Sequence, residues 1–499
     1  MINFDELKIF YLLMNVLLLQ KLNFKEMKKA IASVLLSLSM ASMVKGQSEM
    51  SVFTATGRAG VATTFVTDYQ SIGINPANLG WSPKYEGKKV TLSLLEGSYS
   101  AFSGALSKPE FRNSIMNYNS DSLTHAEKVQ AARDFIEQGL AINADIMALG
   151  FSINLGKAGG VAFMIRDRFQ WYSIANETTS QIMFLGYNAP YFDTTTVDAN
   201  NDTVGIASNP KMYSEILDGS KFKLSWYREF ALSYGKQFID GESFKLYAGA
   251  GVKYISGLAY MNIESENGKF TAFSALTPGF DINYGAAAVN NPSTVTQSGN
   301  LPNSVGHGLG FDLGVSVEIN EKLKIGASIT DIGSITWDGN VYQASDDTLI
   351  SLKTEGFNSY NLFTEAENFV GENGVFTWTG VPSVKTNLPT KIRFGASYEL
   401  IEDKLNMGLD IVSPMNQVSG NFEKMLIAYG LDFKILKWAT ISTGFYNGGN
   451  YGFNIPVGLT VNTSSGSWEA GIASRDAVTF FTNNNPTLSL AFGFLRIRM

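Results

Sequence analysis

The fold class this sequence predicts is all-β, a transmembrane antiparallel β-barrel of about fourteen strands, and two observations carry the prediction. Short stretches alternate apolar with small or polar residues, and the connections between them alternate between a few residues and several dozen. Period two puts the two residue sets on opposite faces of a strand. An even-stranded membrane barrel has an apolar outer face, a polar lumen, short turns on one rim and long loops on the other. In 147–155 the apolar set is Met147, Leu149, Phe151, Ile153 and Leu155, interleaved with Ala148, Gly150, Ser152 and Asn154. Connections at 156–159, 240–242, 319–322, 401–403 and 436–437 are short, while those at 172–222, 262–307, 334–389 and 414–425 are long.

The N-terminus reads as two leaders in succession. Met27-Lys28-Lys29, an apolar run to Met43 and Val44-Lys45-Gly46 form a basic region, an apolar region and a small-residue cleavage site, so 27–46 is a signal peptide cut after Gly46. Residues 1–26 are then an extension upstream of the true start at Met27. The apolar run 10–19 follows Asp5 and Glu6 without a basic lead, and a helix over 7–19 is too short to span a bilayer.

Segment 47–87 is Gly-rich and weakly periodic. Its distinctive phrase is Gly57-Arg58-Ala59-Gly60, then Asp68, then Asn75-Pro76-Ala77-Asn78-Leu79-Gly80. Asn-Pro initiates a turn and biases Asn75 to extended backbone.

From 88 to 499 the wall follows. Strands are expected at 90–94, 146–155, 161–171, 224–235, 246–260, 308–318, 323–332, 392–400, 405–412, 427–435, 439–445, 453–461, 468–474 and 488–497. Phase assigns Val161, Phe163, Ile165, Phe169, Trp171 and Leu309, Phe311, Leu313, Val315, Val317 to lipid. Arg228 shares the phase of Trp226 and Phe230, and at the bilayer midplane it would cost about 2 to 4 kcal/mol, so a bulge or a rim position is implied. The last strand shifts phase at Leu495 and Ile497.

The opposite face carries Arg166, Arg168, Lys253 and Arg393 with Glu229, Asp312, Asp410, Asp432 and Glu469. These form either a ladder guiding a polar or amphipathic solute or a set of ion pairs that fix the N-terminal segment. Charges out of water need partners, which favours the second. Small lumen residues at Gly150, Gly251, Gly310, Gly314, Gly326, Gly395, Gly408 and Gly430 let another backbone approach, so a filled barrel is expected rather than an open pore. Pro456 cannot donate to a ladder and marks a break in the wall, either a bulge or a side opening.

Among the long connections, Thr124-x-x-Glu127 is a capping box with Leu123 as staple, and Val129, Ala132, Phe135, Ile136 and Leu140 share a helical face. That helix either caps the mouth to receive an apolar ligand or packs against neighbouring loops. The acidic run at 193–205 misses the EF-hand spacing and reads as a solvated loop.

Composition excludes other classes. The 499 residues are 45% hydrophobic and 17% charged, and a mean hydropathy of +0.01 fits a one-sided apolar wall better than spanning helices. Zero cysteines exclude disulfides, thiolate metal sites and a lipid-anchored cysteine. A net charge of −7 argues against nucleic acid as a partner. His125 and His307 lie in no nucleophile or metalloprotease motif, and Gly249-Ala250-Gly251 is no dinucleotide fingerprint, so neither an enzyme nor a cofactor is expected.

The Gly57 to Gly80 phrase resembles the start of FadL-like outer-membrane transporters, in which such a stretch forms a hatch inside the barrel. Asp331-Ile332-Gly333-Ser334, after the seventh strand, and the run Gly452 to Gly458 are similar to wall motifs of that superfamily. Asn78, where the family usually has glycine, and Met499, where it ends on an aromatic, depart from the pattern. The resemblance implies a passive, hatch-plugged channel for hydrophobic or amphipathic small molecules in the outer membrane of a Gram-negative, Bacteroidota-type bacterium. Its partners would be outer-membrane lipid and a hydrophobic ligand. The same superfamily holds PorV-like proteins, which implies the alternative of a non-transporting barrel that binds secretion-system or surface-assembly proteins.

Overall fold

The computed structural model describes residues 52–499 apart from 84, 86, 117–121, 450 and 485. The expected extension at 1–26, the signal peptide at 27–46 and its Gly46 cut lie outside the described residues, as do 47–51.

Fourteen antiparallel strands make the wall: β1 Val90–Ser103, β2 Leu140–Asn154, β3 Gly160–Ile174, β4 Lys221–Asp240, β5 Phe244–Glu266, β6 Gly306–Ile319, β7 Leu323–Trp337, β8 Lys391–Ile401, β9 Leu405–Pro414, β10 Leu426–Leu436, β11 Ala439–Gly448, β12 Tyr451–Asn454 continued by Val457–Asn462, β13 Trp468–Ser474 and β14 Thr487–Arg498. Each pairs with its neighbours in chain order, and β14 closes on β1 from Thr91↔Arg498 to Phe102↔Thr487. Alternation along β6 is the simplest case: Leu309, Phe311, Leu313 and Val315 are 47–55% exposed, whereas Asp312 and Ser316 are fully buried.

Observed strands overrun the expected ones mainly at the long-loop rim, as β1 and β2 do at 95–103 and 140–145. There the loops cover the outer face, so both faces are buried and the alternation disappears. Trp171, expected against lipid, is buried beneath this cover with Ile142, Phe222 and Leu224. The cover is an aromatic cluster in which Phe135 meets Phe184 at 5.0 Å, Phe222 meets Phe369 at 5.0 Å, and Tyr284 stacks on Tyr342 at 3.8 Å.

The helix His125–Asp134 has its capping box, with Thr124 N donating to Glu127 Oε2 at 2.8 Å. It packs against the helix Glu177–Leu185, burying Ala131, Ala132 and Phe135 in the cluster. In the acidic loop, Lys353 Nζ stands 2.7 Å from Asp198 Oδ2, and this bond holds the Asp198 carboxyl below its usual range. A side-chain ammonium thus sits where a metal ion would be sought.

Strict alternation fails along one line, and the failure has a purpose. β14, β1 and β2 stay in register with one another, yet all three carry one residue more than the flanking β13 and β3, at Phe494 to Leu495, Leu95 and Ala148. Leu94 and Leu95 are both exposed, as are Phe494 and Leu495, and Leu95 takes a left-handed φ of 54°. This is a β-bulge shared across three strands. Without it, continued alternation would turn out to lipid either Glu96 and Asp145, on one side of the bulge, or Arg496 and Arg498, on the other; with it, all four are at least 93% buried inside. The same bulge moves Met147 off the lipid face assigned to it, to pack inside on Tyr69 and Ile72. A second bulge, in β7 between Ile329 and Ile332, buries Thr330 and Asp331 together, with Asp331 at φ 59°. The phrase Asp331 to Ser334 therefore lies within the seventh strand rather than after it.

Arg228 does face outward, and its guanidinium is bidentate on its cross-strand neighbour Asp167, Nε to Oδ1 at 2.6 Å and Nη2 to Oδ2 at 2.8 Å. Ser256 and His307 continue this row on β5 and β6, above the apolar runs that hold Tyr254 and Leu309. The pair sits at the top of the apolar belt, where an arginine costs little. Asp167→Ala should destabilise the barrel by about 1 kcal/mol by stranding Arg228, whereas Asp167→Leu with Arg228→Leu should recover that loss. Reversible unfolding in urea with refolding into vesicles would measure both, and a single variant as stable as the parent would contradict the pairing.

Candidate functional site

The residues that precede the wall lie inside it. A short helix, Phe53–Gly57, and two 3-10 turns, Asp68–Ser71 and Pro76–Gly80, are joined by irregular backbone, and most of their side chains are buried. Asn75 is extended, φ −152°, as a residue before proline should be, and its Oδ1 accepts from Ala77 N at 3.2 Å to start the last turn. Gly60, at φ 84°, donates to Ala55 O at 2.7 Å and turns the chain out of the helix. Asn78 uses Nδ2 to hold Thr63 O and Val66 O, each at 3.0 Å.

The wall's polar grip on this segment is made chiefly by carboxylates. Asp410 Oδ2 accepts from Ala62 N, Thr63 N and Thr63 Oγ1 at 2.9, 2.9 and 2.7 Å. Asp432 takes Arg58 at 2.8 Å, and Asp312 accepts from Gly73 N at 3.2 Å. Glu96, on the bulged β1, accepts from Tyr69 Oη and Gln70 Nε2. In the opposite sense Arg496 binds Asp68 at 2.5 Å and Glu469 at 2.6 Å, while Arg498 holds Glu469 from the other side at 3.0 Å.

Glycines provide the clearance. A Cβ on Gly430 would strike Arg58 O, on Gly395 Thr63, on Gly408 Phe65 and on Gly150 Tyr69, while Gly314 and Gly326 face Asn75. Gly57 lies against Gly458, and Pro76 against Gly249. Gly251 and Gly310 instead make room for Ser233 and for Leu388.

Above the segment, five of the lumen charges expected from the sequence come together. Arg166 binds Glu229 at 2.6 Å and faces Asp145 at 3.7 Å; Arg168 bridges Glu229 at 3.0 Å and Asp331 at 2.9 Å; Lys253 binds Asp312 at 2.9 Å and also Asp331. With Lys391 acting on Asp331, four cations and four carboxylates share one buried patch that is formally neutral. Such a cluster survives away from water because each charge has an opposite neighbour. Arg393 lies apart from it, on β8 two residues before Gly395, the register partner of Asp410.

Glu96, Asp145, Asp331, Arg58, Arg496 and Arg498 were absent from the charges expected in the lumen. Four of them sit at or next to bulges or on the segment itself, and Asp145 and Arg498 lie just beyond a bulge, where period two carried across it gives the wrong face; the phase shift at Leu495 was the visible signal for the two C-terminal arginines.

Pro456 separates the two halves of β12. Thr443 Oγ1 donates to Pro456 O at 2.8 Å, and Ala477 N to Ile455 O at 2.6 Å, so neighbouring chain bridges the interruption.

Asp410→Ala leaves the amides of Ala62 and Thr63 without their acceptor, a loss of about 3 kcal/mol from the grip on the segment. Limited proteolysis of the detergent-solubilised barrel should then cut within 57–80 faster than in the parent; equal cutting rates would show that Asp410 does not hold it.

A family model described as "Family of unknown function (DUF5723)" matches residues 110–468. No curated protein matches the chain. Similar solved structures include a deltaS2 mutant of the TodX monoaromatic hydrocarbon channel, with 8% identity, 92% of this chain and 98% of that chain covered and a TM-score of 0.43. A Pseudomonas aeruginosa FadL homologue gives 10%, 91%, 97% and 0.40. The Ralstonia pickettii toluene transporter TbuX gives 9%, 91%, 99% and 0.39.

Proposed function

The chain belongs to the DUF5723 family, a family of unknown function, and we propose that it is a passive channel of the outer membrane whose N-terminal segment is a hatch, admitting hydrophobic or amphipathic small molecules. The observation that carries this reading is how the segment is held. It takes no part in closing the wall, since β14 pairs directly with β1. Its polar ties are hydrogen bonds and ion pairs, with Asp410, Asp432, Asp312, Glu96 and Arg496 as the wall's side of them, and between these it packs apolar side chains on the wall, as Tyr69 and Ile72 do beside Met147. The polar ties are rehydrated when water enters, so each costs only about 1 kcal/mol net to release. The Gly57 to Gly80 phrase, similar to that of FadL-like transporters, supports the same reading. In this proposal 47–87 is the hatch and 88–499 the barrel, exported by the signal peptide cut near Gly46 in a Bacteroidota-type cell. The wall charges are hatch contacts rather than a solute path, and Pro456 is a local bulge.

Deleting 57–80 should convert a nearly silent barrel into a conducting one in planar bilayers, and the intact barrel should carry copurified lipid or fatty acid in native mass spectrometry. If deletion produces no conductance, no ligand is found and secretion-system or surface-assembly proteins copurify instead, the chain is a non-transporting, PorV-like partner and the proposal fails.

A further inference from the structure

Strand pairing between β13 and β14 stops at Ala473↔Ala491, while β14 continues beside β1 as far as Thr487. Residues 475–484 fill the resulting notch. They are folded around Asp476, whose carboxylate accepts from Val478 N, Thr479 N and Thr479 Oγ1 at 2.9, 3.1 and 2.6 Å. A cavity of about 270 Å³ remains, lined among others by Lys108, Pro109, Arg112, Phe480, Thr487 and Leu488.

Three features give the cavity a direction. Leu488 and Ser474, which line it, continue the outward rows of Leu490 and Ile472, which are 52% and 49% exposed, so it opens on the lipid side. Phe480 and Phe481, 67% and 83% exposed, stand beside it in the position of interfacial aromatics. Lys108 Nζ donates to Thr479 O at 2.9 Å, which holds that ammonium at the cavity, and the exposed Arg112 lies one helical turn further on. Asp476 also borders the cavity, but its oxygens are already engaged by the loop. The result is an apolar floor on the wall with two cations at its rim.

We propose that this notch binds one phospholipid of net negative headgroup charge from the surrounding leaflet, with acyl chain along Leu488 and Leu490 and the unneutralised phosphate between Lys108 and Arg112. The site is independent of the hatch and of transport. Native mass spectrometry of the whole mature barrel in detergent, titrated with phosphatidylglycerol or phosphatidylcholine, tests it. The parent should retain one phosphatidylglycerol at concentrations where phosphatidylcholine is not retained. Lys108→Ser with Arg112→Ser should weaken that retention roughly 10- to 30-fold, and Arg112→Lys should largely preserve it, with heat-modifiable migration on gels showing that each variant is folded. Unchanged phosphatidylglycerol retention in the double variant, or equal retention of both lipids by the parent, would overturn the proposal.

Discussion

A wall immersed in hydrocarbon can show only apolar side chains outward, and every charge it carries must turn inward or meet a partner at the edge of the belt. Most of the architecture follows from that constraint. The inward charges lie in a narrow interior largely occupied by the chain's own N-terminal segment, so they too must be paired. The buried cluster around Glu229 and Asp331 satisfies it within the wall. Asp410, Asp432 and Glu96 satisfy it by binding the segment. The outward charges discussed, Arg228 and Asp167, lie directly across the ladder and neutralise each other.

The bulges show how costly a breach would be. A one-residue insertion on a single strand would break the ladder to both neighbours. Here β14, β1 and β2 carry the extra residue together and confine the dislocation to the two outer seams with β13 and β3. The gain is that charges above and below the line face the same interior, and that Glu96 and Arg496 reach Tyr69 and Asp68. Anchoring of the segment and correct burial of charge are thus one device.

Legibility followed the same physics. Where one face meets lipid and the other the lumen, the pattern in the chain is strong, and all fourteen strands and the order of short and long connections could be read from it. Where loops cover the wall, as at Trp171, both faces are dry and the pattern fades. The lumen glycines announced a close-packed occupant, and six of the eight do abut the N-terminal segment. Asp331 was visible as part of a phrase but not as the hub joining Arg168 to Lys253, because its inward turn depends on backbone that has left the β-region.

By itself the sequence determined the class of fold, its strand count, its two unlike rims and the presence of inward charge, because each of these is a local periodicity written in consecutive residues. Only the tertiary structure decided which charge meets which, that three strands share one dislocation, and that Asp68, Arg58 and the amides of Ala62, Thr63 and Gly73 complete the wall's polar groups. Those pairings join residues up to 428 positions apart and depend on the closure of the barrel around its own N-terminal segment, which no local pattern encodes.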